Sequence, residues 1–302
     1  MFAKKNKFSF GGVLFAVLTA LAVFLVAYRF PWIGEYFIDK LSENTVEEID
    51  GALYVHYIDV GQGNAALVKT PEGSVMLIDS GTDESKSDLV YYLRKYGVKT
   101  IDFFVLTHPH EDHIGGAPEV FKNFEVKNVI VPDIISDTTT FSVLLDSIES
   151  EECAVITASY GSETKLGSAS FKILGPLQID RDDLNECSIV LRLNFGITGF
   201  LFTGDAGEAS EKRMLSVFSN EEFKADVLCA GHHGSSSSST EAFIQAVSPK
   251  FAVISCGANN EHGHPHIKTL NLFQKFNIFV YRTDKNGSIA FYSNGNSVAY
   301  AG

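Results

Sequence analysis

Thr107-His108-Pro109-His110-Glu111-Asp112-His113-Ile114-Gly115-Gly116 is the stretch that decides the fold. Three histidines and an aspartate fall within six positions, directly after the largely apolar Ile101-Asp102-Phe103-Phe104-Val105-Leu106. That run reads as a short buried strand. Pro109 and the Gly115-Gly116 pair interrupt both helix and strand, so the cluster is a loop at a strand end, feeding a helix that starts near Gly116. Neutral imidazole and carboxylate are the ligands a borderline divalent metal such as zinc prefers. His108 and His110 can converge on one ion, while Asp112 and His113 can turn toward a second. An ordinary polar loop explains a lone histidine, but not four ligand-type residues at this density.

The other histidines are placed as unevenly. Of nine, eight fall in three groups, at 108–113, 232–233 and 262–266, and none lies between His113 and His232. Gly231-His232-His233-Gly234-Ser235 follows a strand expected at 225–230. Leu201-Phe202-Thr203-Gly204-Asp205 is a strand ending in a carboxylate, with a helix beginning around Gly207. Asp205 can cap that helix. His264, in Glu261-His262-Gly263-His264-Pro265-His266, stands on a loop before a helix. It either contacts substrate or protonates a leaving group, or is an ordinary loop residue. His56 reads as a strand residue. Ser235 to Ser239 reads as a rim or helix cap, since no G-x-S-x-G elbow accompanies it.

The chain has 302 residues, 45% of them hydrophobic, and a net charge of -13. Such a surface repels phosphate backbones unless a basic patch or a metal offsets it. The four cysteines, at 153, 187, 229 and 256, form no CxxC pair. Buried free thiols are expected, although Cys229 and Cys256 each end a strand and are placed to pair. Lys4, Lys5 and Lys7 precede an uncharged, mostly apolar run at 11–28, followed by Arg29, Pro31 and Trp32. That run is long enough to span a bilayer, and its basic flank places the N-terminus inside and the remainder outside. A signal peptide cleaved near Ala20-Leu21-Ala22, giving a secreted protein, is the alternative. Residues 1–32 are therefore a membrane anchor or signal segment, 33–52 an acidic linker, and 53–302 the globular domain.

Strands are expected at 53–60, 65–69, 74–78, 101–106 and 126–131, with helices at 83–96 and 138–150. A second strand block follows at 154–158, 163–166, 170–174, 188–195 and 199–203. Turns at Asn286-Gly287 and Asn294-Gly295 signal a closing hairpin. Two strand-rich blocks, each accompanied by helices, give an α/β fold of two sheets packed face to face with helices outside.

His108, His110, Asp112 and His113 fill the four ligand places of the HxHxDH motif, and the stretch resembles the metallo-β-lactamase superfamily. Asp59-Val60-Gly61-Gln62-Gly63-Asn64, Leu77-Ile78-Asp79-Ser80-Gly81, Thr203-Gly204-Asp205, His232-His233-Gly234-Ser235, Gly263-His264-Pro265 and Tyr281-Arg282-Thr283-Asp284 follow the same order. Together they look like the extracellular hydrolase domain of the ComEC family of DNA-uptake proteins and its stand-alone relatives. The resemblance covers nearly all of 53–300.

It implies a four-layer αββα sandwich and one or two divalent ions, zinc or manganese. His108 and His110 would bind one ion, Asp112, His113 and His232 the other, and Asp205 would bridge them. Asp79 would support the metal loop. Asp59 and Gln62 would sit on a glycine turn near the site mouth, facing substrate or simply making the turn. His232 is preferred to His233 as ligand because adjacent residues rarely both point into one site. His233 would then orient a ligand. Two departures stand out. No histidine between 113 and 232 supplies the ligand most zinc members have, which leaves water or a group near Asn185-Glu186; relatives in this branch share the gap. A single candidate span also leaves no room for a DNA channel.

The implied reaction is hydrolysis by a metal-activated water, with Asp112, Asp205 and His264 as catalytic residues. Phosphodiesters, DNA among them, are the expected substrates. An ester or lactone hydrolase resembling phosphorylcholine esterase, and a non-catalytic metal-binding accessory module of DNA uptake, are the alternatives. The expected partners are the membrane and a nucleic acid or other phosphodiester.

Overall fold

The computed structural model describes residues 49–302. The expected anchor at 1–32 and nearly all of the acidic linker lie outside the described residues. Among the described residues, no helix is long and apolar enough to cross a membrane.

In chain order the strands are β1 (Leu53–Tyr57), β2 (Ala66–Lys69), β3 (Val75–Ile78), β4 (Thr100–Ile101), β5 (Phe103–Val105), β6 (Glu125–Val126), β7 (Asn128–Val131), β8 (Ala154–Thr157), β9 (Glu163–Leu166), β10 (Ala169–Gly175), β11 (Val190–Phe195), β12 (Thr198–Phe202), β13 (Val227–Cys229), β14 (Phe251–Ile254), β15 (Phe279–Arg282), β16 (Ile289–Ser293) and β17 (Val298–Tyr300). The helices are α1 (Lys86–Lys95), α2 (Glu111–Ile114), α3 (Ala117–Asn123), α4 (Thr139–Ser150), α5 (Glu208–Val217), α6 (Glu241–Val247), α7 (Ile267–Lys275) and α8 (Thr283–Asn286). One sheet has the order β17-β16-β1-β2-β3-β5-β7-β8 and the other β15-β14-β13-β12-β11-β10-β9, with β4 and β6 forming a small separate ladder. β3, β5, β7 and β8 run parallel, as do β12, β13, β14 and β15.

Period-two alternation builds the layers. Met76 and Ile78 of β3 enter a core shared with Phe171, Phe200, Phe202 and Phe291. Val75 and Leu77 of the same strand face the other way, against Leu89, Leu93, Phe104 and Phe121. On the second sheet Phe200 and Phe202 point inward, while Leu201 packs outward with Met214, Phe243 and Phe273. Each fully buried Leu or Phe contributes roughly 1.5–3 kcal/mol. Three apolar layers separate two sheets and two helical faces, which is the expected αββα sandwich.

Three local expectations change. The run 101–106 is not one strand, because Asp102 leaves the sheet to accept hydrogen bonds from Val75 N and Lys127 Nζ, both at 2.8 Å. Asn294-Gly295 does join the antiparallel pair β16 and β17. Asn286-Gly287 does not make a hairpin. It ends α8, with Gly287 at φ 68°, and the chain crosses from β15 in one sheet to β16 in the other. Cys229 and Cys256 are both free thiols, so the pairing left open by the sequence is not formed.

The loops leaving the C-terminal ends of β3, β5, β12, β13 and β14 gather at one rim. Carboxyl ends of parallel strands are where open α/β sheets hold ligands.

Candidate metal centre

Asp79 follows β3 at φ 58°, a left-handed conformation that aspartate tolerates better than most residues. Its Oδ1 accepts from Thr107 N at 2.7 Å, and its Oδ2 accepts from Thr107 Oγ1 at 2.8 Å. The same Oδ2 stands 2.7 Å from His113 Nδ1. With Nδ1–H donating to the carboxylate, Nε2 of His113 faces the site. A carboxylate commonly orients a ligating histidine in this way.

The motif loop is not an open loop, since Glu111–Ile114 forms one helical turn. It rests on the glycine turn after β1: Asn64 N donates to Asp112 O at 3.0 Å. A Cβ on Gly63 would lie 2.4 Å from that carbonyl oxygen, so the approach requires glycine. On the opposite side Gly204 takes φ 50°, and its carbonyl accepts from His232 N at 3.0 Å. Asp205 N donates to Ser188 Oγ at 3.0 Å. The loops after β12 and β13 are thereby locked together.

The side chains converge. His113 Nε2 is 3.2 Å from Asp205 Oδ1, and His108 Nε2 is 3.8 Å from Asp205 Oδ2. His233 Nε2 is 3.0 Å from Asp112 Oδ2 and 3.6 Å from Asp205 Oδ2. His110 Nδ1 is 3.0 Å from His108 Nε2. Two ligand groups result, His108-His113-Asp205 and Asp112-His113-His233, the ligand atoms of each lying within 4.8 Å of one another. His113 Nε2, His233 Nε2 and Asp205 Oδ1 are buried yet lack hydrogen-bond partners. Buried polar atoms left unsatisfied are costly, and these three share one small space. Ions at the two ligand groups would take up these atoms, so the donor set fits a metal.

His233, not the preferred His232, joins Asp112 and His113. Both take left-handed backbone angles, φ 51° and 53°. The turn buries His233, with Nδ1 2.9 Å from the Ser255 carbonyl. The His232 side chain remains 26% exposed, though its Nε2 still lies 3.7 Å from Asp205 Oδ2. The consecutive pair can therefore both approach the centre, one from inside and one from the rim.

Burial lowers the proton affinity of His113 and His233, but facing carboxylates outweigh it and raise both. Asp205, Asp79 and Asp112 act on His113, and Asp205 and Asp112 on His233. Burial likewise works against ionising Asp205 and Asp112, yet these imidazoles hold both well below the usual carboxylate range. His108 is pushed down by burial and by His113. The carboxylates are thus ionised and His108 neutral at neutral pH. Metal binding at Nε2 of His113 or His233 competes with a proton there.

The remaining predicted residues divide. The His264 ring lies 5.5 Å from that of His232 and 6.1 Å from that of His233, centre to centre. Burial, then those two imidazoles, press it to about 4, which favours substrate contact over proton donation at neutral pH. Gln62 Oε1 accepts from Gly257 N at 3.0 Å, while its Nε2 is buried without a partner. Asp59 is exposed and its Oδ1 accepts from Gly61 N at 3.1 Å, which is a turn role. His56 is buried against Tyr92 and Tyr96, and burial pushes it to about 3. Glu186 Oε2 accepts from Ser210 N at 2.5 Å at the start of α5. Asn185 Oδ1 is buried without a partner.

Sequence reasoning missed Ser255, Ser188 and Glu211. Glu211 accepts from Ser239 N at 2.5 Å and Thr240 N at 2.9 Å, holding the serine run beside His232. Ser255 was findable, because it follows β14 just as the Asp205 loop follows β12.

The family model of the metallo-beta-lactamase superfamily matches residues 58–258. ComE operon protein 3 of Bacillus subtilis is 35% identical over 254 residues, which are 78% of this chain and 32% of that protein. Competence protein ComA of Neisseria gonorrhoeae is 31% identical over 235 residues, 77% of this chain and 31% of that one. The chain thus spans about a third of the length of these curated relatives. The metallo-beta-lactamase fold protein YhfI from Bacillus subtilis superposes with a TM-score of 0.54 at 14% identity, over 80% of this chain and 100% of that one. That likeness shows the shared fold. The chain belongs to the metallo-beta-lactamase superfamily, and the competence proteins that carry a related domain are among its relatives.

Proposed function

We propose that residues 53–302 form a metal-dependent hydrolase acting on phosphodiesters. The observation that carries this reading is the convergence of His108, Asp112, His113, Asp205 and His233 into two overlapping ligand groups, with His113 Nε2, His233 Nε2 and Asp205 Oδ1 buried and without a well-formed hydrogen bond. His108 and Asp205, with His110 beside His108, would hold one ion, and Asp112 and His233 would approach a second position. Nε2 of His113, its one free nitrogen, would serve one of the two, with His232 at the rim. Bound divalent ions supply a nucleophilic water at neutral pH and neutralise charge on a reacting oxygen. Asp79 fixes the His113 ring, the Ser255 carbonyl fixes the His233 ring, and Gln62 ties the glycine turn to Gly257 at the rim.

Two adjoining ligand groups suit an in-line phosphoryl displacement. The resemblance of the motif series to the ComEC family of DNA-uptake proteins makes DNA one candidate substrate. The net charge of -13 counts against tight non-specific DNA binding. The basic-flanked run at 11–28 supports anchoring in the cell membrane with the domain outside.

The test is hydrolysis of bis-p-nitrophenyl phosphate, single-stranded DNA and nitrocefin by protein loaded with zinc or manganese. Turnover of a phosphodiester is expected, lost on chelation and lost in His110→Ala and Asp112→Ala. No phosphodiester turnover by the metal-loaded protein, or turnover of nitrocefin alone, contradicts the proposal.

A further inference from the structure

Beside the metal loop lies a cavity of about 470 Å³ of whose lining only His108 takes part in the site chemistry. One wall is the loop itself, at His108 and Pro109. The others are Leu106 and Ile114, the inner face of α4 at Phe141 and Leu144, and Val155 of β8. Apart from His108 and Glu149, every lining side chain is apolar. Its margin opens to solvent, with Ile135 80% exposed, Val155 55% and Leu145 47%.

The volume falls within the range of small-molecule sites. It sits by the carboxyl ends of the parallel strands β5 and β7, where the metal loop also begins. A nucleobase would bring polar edges that this wall cannot satisfy, and unsatisfied polar groups are costly to bury. An alkyl chain brings none. We propose that this cavity is an alkyl subsite, holding the aliphatic substituent of a phosphodiester whose phosphate lies at the metal centre. The proposal rests on the phosphodiesterase reading for its reaction, but the binding of an alkyl chain stands independently of it.

Two readouts separate these. Dansyl-undecanoic acid, below its micelle concentration, is titrated into the full chain and displaced with octyl phosphate or methyl phosphate. Saturable binding is expected, displaced by the octyl and not by the methyl compound, and weakened at least about tenfold in Val155→Trp and in Leu145→Glu. One variant fills the cavity and the other charges its margin, and both positions are exposed enough to tolerate the change. In parallel, kcat/KM is compared for p-nitrophenyl methyl and p-nitrophenyl octyl phosphate. A preference for octyl is expected, rising by up to about fourfold per buried methylene, and collapsing in both variants while the methyl rate is unchanged. Dansyl binding that the variants weaken, with no phosphodiester cleaved, supports the subsite and sinks the reaction. Absent binding, binding equal in wild type and variants, or equal cleavage of the two substrates overturns the subsite.

Discussion

His113 is the residue on which the centre turns. It belongs to both ligand groups, and its ring is set by Asp79 at 2.7 Å. Asp79→Asn keeps the shape but loses the charge facing Nδ1. Metal affinity in chelator competition is expected to fall roughly 10–100-fold, the usual cost of losing such a partner. An unchanged affinity would remove Asp79 from the site. His233→Ala is expected to weaken metal binding more than His232→Ala, because only His233 is buried and held by Ser255. The equal or opposite order would restore His232 as the inner ligand. The candidate ligands at 108–113 and Asp205 were legible because unusual residue types cluster at strand ends. The choice within His232-His233 was not, since it depends on two successive left-handed residues that no spacing reveals.

At the scale of elements, the strand-end loops hold each other. The turn after β1 supports α2 through Asn64 and Asp112. Gly63→Ala would drive a Cβ to 2.4 Å from Asp112 O. Overpacking of that kind typically costs about 1–3 kcal/mol. A lower urea midpoint together with a lower metal content is expected; an unaltered midpoint and metal content would separate the turn from the loop. Strand positions were read from alternation, and β9 was placed to the residue. Alternation did not show where Asp102 would leave the sheet, because its partners Val75 and Lys127 are distant in sequence. Nor could it show that β15 and β16 lie in different sheets, since Asn-Gly marks a reversal without naming its partner.

For the whole molecule, stability depends on the core between the sheets and on buried charge outside it. Phe200, fully buried in that core, is expected to cost about 3–5 kcal/mol on change to Ala, read by urea unfolding. Glu211 is 2% exposed, and burial raises its carboxyl from 4.5 to about 7. A folded-state value above the unfolded one gives stability that is present below pH 4.5 and lost as pH rises through 7. The loss is on the order of 3 kcal/mol. Unfolding followed from pH 5 to pH 8 should therefore show a flatter decline in Glu211→Gln than in wild type. Parallel curves would mean that Glu211 does not titrate with folding. The four layers were readable from two blocks of short strands with helices. Buried Glu211 was not, because its partners Ser239 and Thr240 lie 28 and 29 residues away.

The most direct test is metal content, measured by plasma emission on wild type and Asp205→Ala after loading with zinc or manganese and removal of excess. Asp205 comes from a strand end almost a hundred residues beyond the histidine loop, so metal lost with it means that the two segments build one centre. The wild type is expected to retain one or two ions per chain and Asp205→Ala to lose at least one of them. A wild type that retains no metal, or an Asp205→Ala variant that retains as much as wild type, contradicts the account.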